Sequence, residues 1–399
     1  MLTTNVLVFL DTALLGPESS RSLGSAYDRR VMSTTAPAPY RLISADSHVN
    51  EPPDLWVTRV SSAMRDRAPH IERFDAGDAW VIEGVADPIN FGMNACAGLD
   101  PEAMEAWVRF EDIRRGGWDP AARVEEMARD GVDAEMLYPT PRLAQAIVAN
   151  PDPAYRAEMV RAYNDWLSEF VGHAPARFGG HAMLPNWGAD AAVAEIERVL
   201  DRPGMRGVVM GCYPNGTLSI EPGDDAVWAC LAERSVPLAI HVSLSLSMPA
   251  AHKAKLPGYG RFFDAPNRMI ELIFAGVFDR FPTLDVVFAE VDAGWVPYAK
   301  EQIDNNYRRL DPVSRFGLGA PPSEYIERHF HYGFMTDTFG IHHRDQVGVD
   351  RLLWSSDYPH ISADWPSSWR TIQAAFAGVP PDERQRILAG NTQRLYHFS

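Results

Sequence analysis

Short apolar runs recur along this chain at intervals that leave room for a helix between neighbours, and that alternation limits the fold more than any other feature. AEMLYPT at 134 to 140 is followed by the amphipathic YRAEMVRAYNDWLSEFVGH, and GHAMLP at 180 to 185 by ADAAVAEIERVLD. MRGVVM at 205 to 210, VPLAIHVS at 236 to 243, LDVVFAE at 284 to 290 and VDRLLWSSD at 349 to 357 continue the series. Each run is dense in Val, Leu, Ile or Phe and bounded by turn formers, as expected of strands buried on both faces. Strands separated by helices favour a parallel α/β architecture, and their number favours a TIM-like (β/α)8 barrel. A chain of 399 residues that is 46% apolar and 11% aromatic fills such a core with material to spare. The expected layout is an atypical N-terminal extension over 1–38 and one barrel domain over 39–399, with an insertion at about 60–118 and a long loop at 244–266 containing SMPAAHKAKLPGYG. The eight strands are not cleanly countable from the sequence.

Charge and cysteine usage narrow the functional classes. Lys plus Arg total 37 against 53 Asp plus Glu, a formal charge of −16. Such a surface argues against nucleic-acid or anionic-membrane partners, both of which call for a cationic patch. VLVFL at 6 to 10 is too short to span a bilayer and lacks a basic leader. Cys96, Cys212 and Cys230 have neither disulfide-framework nor zinc-ribbon spacing, so a reducing cytoplasm is expected.

Two acidic-histidine clusters stand at opposite ends of the chain. In RLISADSHVNEPPDLW, Asp46 and His48 are two positions apart at the end of an apolar run, and LLWSSDYPH carries Asp357 and His360. Residues i and i+2 of a strand share a face, so Asp46 and His48 can present a carboxylate and an imidazole to one ion. The C-terminal ends of barrel strands surround one pocket, where His241 of VPLAIHVS and Asp357 can join them. Two imidazoles and two carboxylates suit one divalent ion, with Zn preferred and Mn the alternative. Residue by residue, blander roles stand beside this one: His241 as a hydrogen-bonded core histidine, Asp357 as a cap or turn carboxylate, Asp46 and His48 as a cap and a half-buried side chain.

Taken in order, ISADSHVNEPPDLW, WDPAARVEEMARDGVDAEMLYPT, RFGGHAMLP, IHVS, FPTLDVVFAEVDAGWVPY, LLWSSDYPH and ILAGNTQRLY resemble the amidohydrolase-related family, in the branch of the aminocarboxymuconate-semialdehyde and resorcylate decarboxylases. The resemblance covers about residues 40 to 399. It implies metal ligands at Asp46, His48 and His241, with Asp357 a ligand or neighbour of a metal-bound water. Relatives resembling the decarboxylases often carry a catalytic histidine at the end of the sixth strand, where this chain has Glu290.

An ordinary carboxylate stays ionised near neutral pH and is a poor proton donor, so Glu290 favours hydrolysis of an amide or related C–N bond by metal-activated water. Asp357 is then the leading base and Glu290 the second. A small molecule or modified peptide would be the substrate. Nonoxidative decarboxylation of a small aromatic or unsaturated acid is the alternative, although it calls for a cationic clamp and the sequence singles out no Arg. A noncatalytic metal-bound scaffold is the third reading.

His181 and His360 are rim candidates, with His181 better suited to packing than to ligation. GMNACAG at 92 to 98 lacks a phosphate-binding glycine pattern and reads as loop. Trp56, Tyr138, Trp295, Tyr358 and Trp365 fall near strand ends, where they shape a pocket floor or complete the core. The extension and insertion offer surface for a homodimer or for a lid.

Overall fold

A computed structural model describes residues 41–246 and 264–399. Eight parallel strands pair in chain order: β1 (Ile43–His48), β2 (Ala134–Tyr138), β3 (Phe178–Met183), β4 (Met205–Met210), β5 (Leu238–His241), β6 (Val286–Ala289), β7 (Phe330–Phe334) and β8 (Leu352–Trp354). The chain leaving β8 returns to β1, where Asp357 N–H donates to Asp46 O at 3.0 Å and His48 N–H to Tyr358 O at 2.7 Å. The result is a nearly closed TIM-like barrel flanked by helices.

The helices include α1 (Pro120–Asp130), α2 (Pro141–Val148), α3 (Pro153–Gly172), α4 (Ala189–Val199), α5 (Asp225–Arg234) and α6 (Asp264–Phe274). Their starts follow local chemistry. Asp119 accepts from the N–H groups of Ala121 and Ala122 ahead of α1, and Asp152 from Ala154 ahead of α3, each with Pro at the first helical turn. Gly131 at φ 77° closes α1 in the left-handed region. No described helix is long and apolar enough to cross a membrane.

Inside the barrel, small residues such as Ala45, Ala134, Ala239 and Ala289 leave space that Met136, Tyr138 and the C-terminal Tyr396 and Phe398 fill. Gly207 on β4 serves the same end, because a Cβ there would sit 2.5 Å from the His181 ring.

Two features depart from the sequence expectation. β7 is absent from the run of apolar candidates: FHYGF follows the helix Pro322–His329 with no turn between, and its His and Gly break the aliphatic pattern. The long loop expected at 244–266 gives way at Asp264, where α6 begins, and its SMPAAHKAKLPGYG portion lies outside the described residues. Within the stretch read as an insertion, His70–Arg73, Asp78–Val81 and Ile89–Asn90 form a small antiparallel sheet.

Candidate functional site

The C-terminal ends of β1, β5, β6 and β8 bring five polar side chains together. β1 carries one extra residue against β2 between Ser44 and Ser47, a bulge beside Asp46 of the kind that re-aims side chains. Asp46 and His48 share a face as the alternation predicts: His48 Nε2 lies 3.3 Å from Asp46 Oδ1. It lies 3.5 Å from Asp357 Oδ1 and 3.1 Å from His241 Nε2. His241 Nε2 also sits 3.4 Å from Asp46 Oδ2 and 4.0 Å from Glu290 Oε2. The four residues expected to meet do meet, with Glu290 beside them. The donor atoms of Asp46, His48 and His241 lie within 4.8 Å of one another, as do those of His48, Asp357 and His360.

Hydrogen bonding defines what this cluster lacks. All four carboxylate oxygens of Asp46 and Asp357 are buried without a hydrogen-bond partner among the described residues. His48 places Nδ1 3.1 Å from the carbonyl of Pro139, which only an N–H can satisfy. Burial, with the neighbouring His360 and His241, holds His48 well below the usual imidazole range. Neutral His48 therefore turns its Nε2 lone pair toward two carboxylates as well as toward His241 Nε2, a convergence of electron-pair donors that a cation between them would hold together. Burial would lower His241 too, but the carboxylates of Asp46, Glu290 and Asp357 outweigh it and raise this group to about 9. Burial and the carboxylates of Glu290 and Asp46 push Asp357 well above the usual carboxylate range.

The backbone supporting these residues is strained. Val242, Glu290, Asp292 and Asp357 adopt φ of 59°, 57°, 55° and 52°. For a β-branched Val this left-handed conformation is costly, and such conformations persist where surrounding structure enforces them, commonly at functional sites.

The other histidines are not at the rim. His360 is buried, stacked on His48 with centroids 3.8 Å apart, its Nδ1 3.1 Å from Asp357 Oδ1; burial lowers it to about 4. Its Nε2 meets the Asn94 amide at 3.1 Å, so the GMNACAG loop reaches the site, although nothing in its glycine spacing signals this. His181 is enclosed within the barrel, stacked on Tyr138 at 3.9 Å and hydrogen-bonded to Tyr396 at 3.1 Å; burial lowers it to about 3.

A cavity of about 260 Å³ opens beside the cluster, and His241 belongs to both. Its wall is mainly apolar, with Val148, Met183, Leu184 and Met210 among its lining residues, and among the described residues Arg142 from the first turn of α2 is the cation that lines it. Of the five aromatics expected near strand ends, Tyr138 lines this cavity. Trp56 packs against Trp80, Trp295 against Tyr332, and Tyr358 against Trp365.

Comparison with known proteins places this geometry. The family described as Amidohydrolase matches residues 45–398. The γ-resorcylate decarboxylase of Polaromonas sp. strain JS666 is 26% identical over 69% of this chain and 87% of its own length. Relatives from Rhizobium and Rhodococcus jostii carry the same name. An amidohydrolase from Mycobacterium avium subsp. paratuberculosis superposes with a TM-score of 0.72 at 22% identity, covering 90% of this chain and 98% of that one. The dihydroxybenzoic acid decarboxylase of Polaromonas sp. JS666, solved with bound manganese and 2-nitroresorcinol, gives a TM-score of 0.62 at 18% identity, covering 90% and 97%.

These relatives overturn the expectation of amide or C–N hydrolysis. That expectation rested on Glu290 standing where the decarboxylases often carry a histidine. Glu290 does not stand alone: it shares a buried cluster with Asp46 and Asp357, whose charges act on one another. The missing clamp has a candidate as well, since Arg142 reaches the cavity through tertiary structure and not through any motif.

Proposed function

We propose, from the premise that this chain belongs to the amidohydrolase family of enzymes, that it is a metal-dependent nonoxidative decarboxylase of a small aromatic carboxylic acid. The observation that carries this reading is the position of His241, which belongs both to a buried cluster of metal-ligating groups and to the wall of an apolar cavity sized for a ring. The names of the curated relatives support the same reaction class.

Asp46, His48, His241 and Asp357 would hold the ion. The orphaned carboxylate oxygens and the Nε2 lone pair that His48 turns into the cluster fit such a role. Two nitrogen and two oxygen donors suit zinc or manganese. When bound, the ion would neutralise the substrate's carboxylate and an adjacent oxygen as charge develops.

The chain's own residues do the rest. The cavity holds the ring against Met183, Leu184 and Met210 and excludes water from it. Arg142 pairs with an anionic group of the substrate. Asp357 and Glu290 are the carboxyl groups that would pass to the ring carbon the proton that takes the place of CO2, and Glu290 lies 4.0 Å from His241 Nε2. The overall change consumes one proton and releases CO2. The free thiols of Cys96, Cys212 and Cys230 fit a cytoplasmic setting. A homodimer would run at twice the 44.4 kDa chain mass in light scattering.

The test is to offer hydroxylated benzoic acids to zinc- and manganese-loaded protein in D2O. CO2 release with one deuterium at the vacated ring position is expected. No CO2 from any member of the panel, with metal bound, would reject the reading.

A further inference from the structure

We infer that Arg123 is a positioning residue that fixes the metal cluster by clamping the seam where the barrel closes; this rests on the metal reading above. Arg123 lies on α1, outside the barrel wall, and is wholly buried. Its guanidinium has five N–H groups, and five hydrogen bonds use them. Nε and Nη2 form a fork to Glu135 of β2 at 2.6 and 3.0 Å. Nη1 donates to the carbonyls of His48 at 2.9 Å and Gly116 at 3.2 Å, and Nη2 to that of Tyr358 at 3.3 Å.

The choice of acceptors gives the residue its role. A buried ion pair needs a partner for its charge, and Glu135 supplies that alone. Of the three remaining bonds one goes to the Gly116 carbonyl, and the other two go to the backbone of His48, a candidate ligand, and of Tyr358, the residue after Asp357. Those two segments meet across the seam, where Tyr358 O also accepts from His48 N–H. The guanidinium lies over the Tyr358 ring at 4.3 Å, and the Tyr358 hydroxyl is hydrogen-bonded to Glu126 on the same helix. One planar group thus sets the spacing between the ends of β1 and β8, and with it the distance from His48 to Asp357. Lysine cannot replace it, because an ammonium offers three donors in no fixed plane.

The experiment measures Mn2+ binding to metal-stripped protein by calorimetry, with thermal midpoints alongside. Arg123→Lys is expected to weaken Mn2+ binding by about 10-fold or more, in the range found when groups that orient ligands are removed. Leu231→Ala, a core truncation on α5, is expected to lower the midpoint and leave binding within about 2-fold, since its cost is a cavity away from the seam. Equal binding by Arg123→Lys and wild type, or equal weakening by Leu231→Ala, would overturn the inference. If Arg123→Lys does not fold, Glu135→Gln carries the test: it keeps the acceptor oxygen, removes the countercharge and is expected to weaken Mn2+ binding as well. Failure of both to fold would assign the pair to stability alone and also overturn it. Absence of Mn2+ binding by the wild type would instead remove the metal reading on which the inference stands.

Discussion

The two sides of the barrel mouth are built on opposite principles. At the seam between β1 and β8, polar groups bond to one another across the closure: Ser356 N–H donates to Ser44 Oγ at 2.9 Å, and the hydroxyls of Ser47 and Ser356 lie 2.9 Å apart. Arg123 ties the same segments from behind. On the side of β3, β4 and β5 the wall is aliphatic and thioether, with Val242 held in a strained conformation next to His241. A fixed polar wall suits an ion, whose ligands tolerate little displacement. An apolar wall suits a ring, bound by area and shape with few directional contacts.

The largest expected effect breaks the polar wall. His48→Ala removes a candidate ligand and leaves two buried carboxylates facing a void. Metal content should fall, and kcat/KM for decarboxylation should drop by more than about 100-fold, beyond what loss of an orienting neighbour costs. A variant that keeps its metal and activity would move the site elsewhere.

Next, Arg142→Ala should act on binding from the apolar side. Loss of one charge-assisted hydrogen bond at a half-exposed position predicts KM raised by about 10-fold with kcat little changed. A fall in kcat with KM unchanged would place Arg142 in the chemistry, and the division between the walls would fail.

A smaller effect tests the strain. Val242→Gly relieves a β-branched left-handed residue, for which strain on the order of 1–3 kcal/mol is partly offset by glycine's extra backbone entropy. The thermal midpoint should rise slightly while Mn2+ binding weakens, because His241 loses a rigid neighbour. A lowered midpoint would show that the site does not store this strain.

The smallest lies behind the seam. Asp130 accepts from Ser368 N–H at 2.9 Å and from its hydroxyl at 2.6 Å, and burial raises its carboxyl above the usual range. A carboxyl raised on folding favours the folded state most at low pH, and that advantage is lost as pH rises from about 4 through the folded value. Asp130→Asn should thus raise the midpoint slightly at pH 7, by under about 2 °C, with the gain vanishing near pH 4. A gain independent of pH would assign it to packing.

The parts legible in the sequence share one physical origin. Apolar runs such as MRGVVM and LDVVFAE must be buried wherever the chain puts them, so their alternation with amphipathic helices dictated a parallel barrel. The i, i+2 geometry of Asp46 and His48 is likewise local, and the barrel's convergence of strand ends added His241 and Asp357 without further information. What stayed hidden depends on contacts between distant segments. Asn94 meets His360, Tyr396 enters the barrel to reach His181, Arg142 joins the cavity wall, and Arg123 spans three backbone segments. The chemistry of the carboxyl groups at the site depends on such contacts too. A carboxylate's proton affinity is set by burial and by the charges around it, and for Asp357 those are Glu290 and Asp46, both remote in sequence. Local periodicity determined the barrel and which chemical groups ring its mouth; only tertiary structure decided their protonation, their clamp and the shape of the space they face, because each of these is a property of neighbours that the chain supplies from far away.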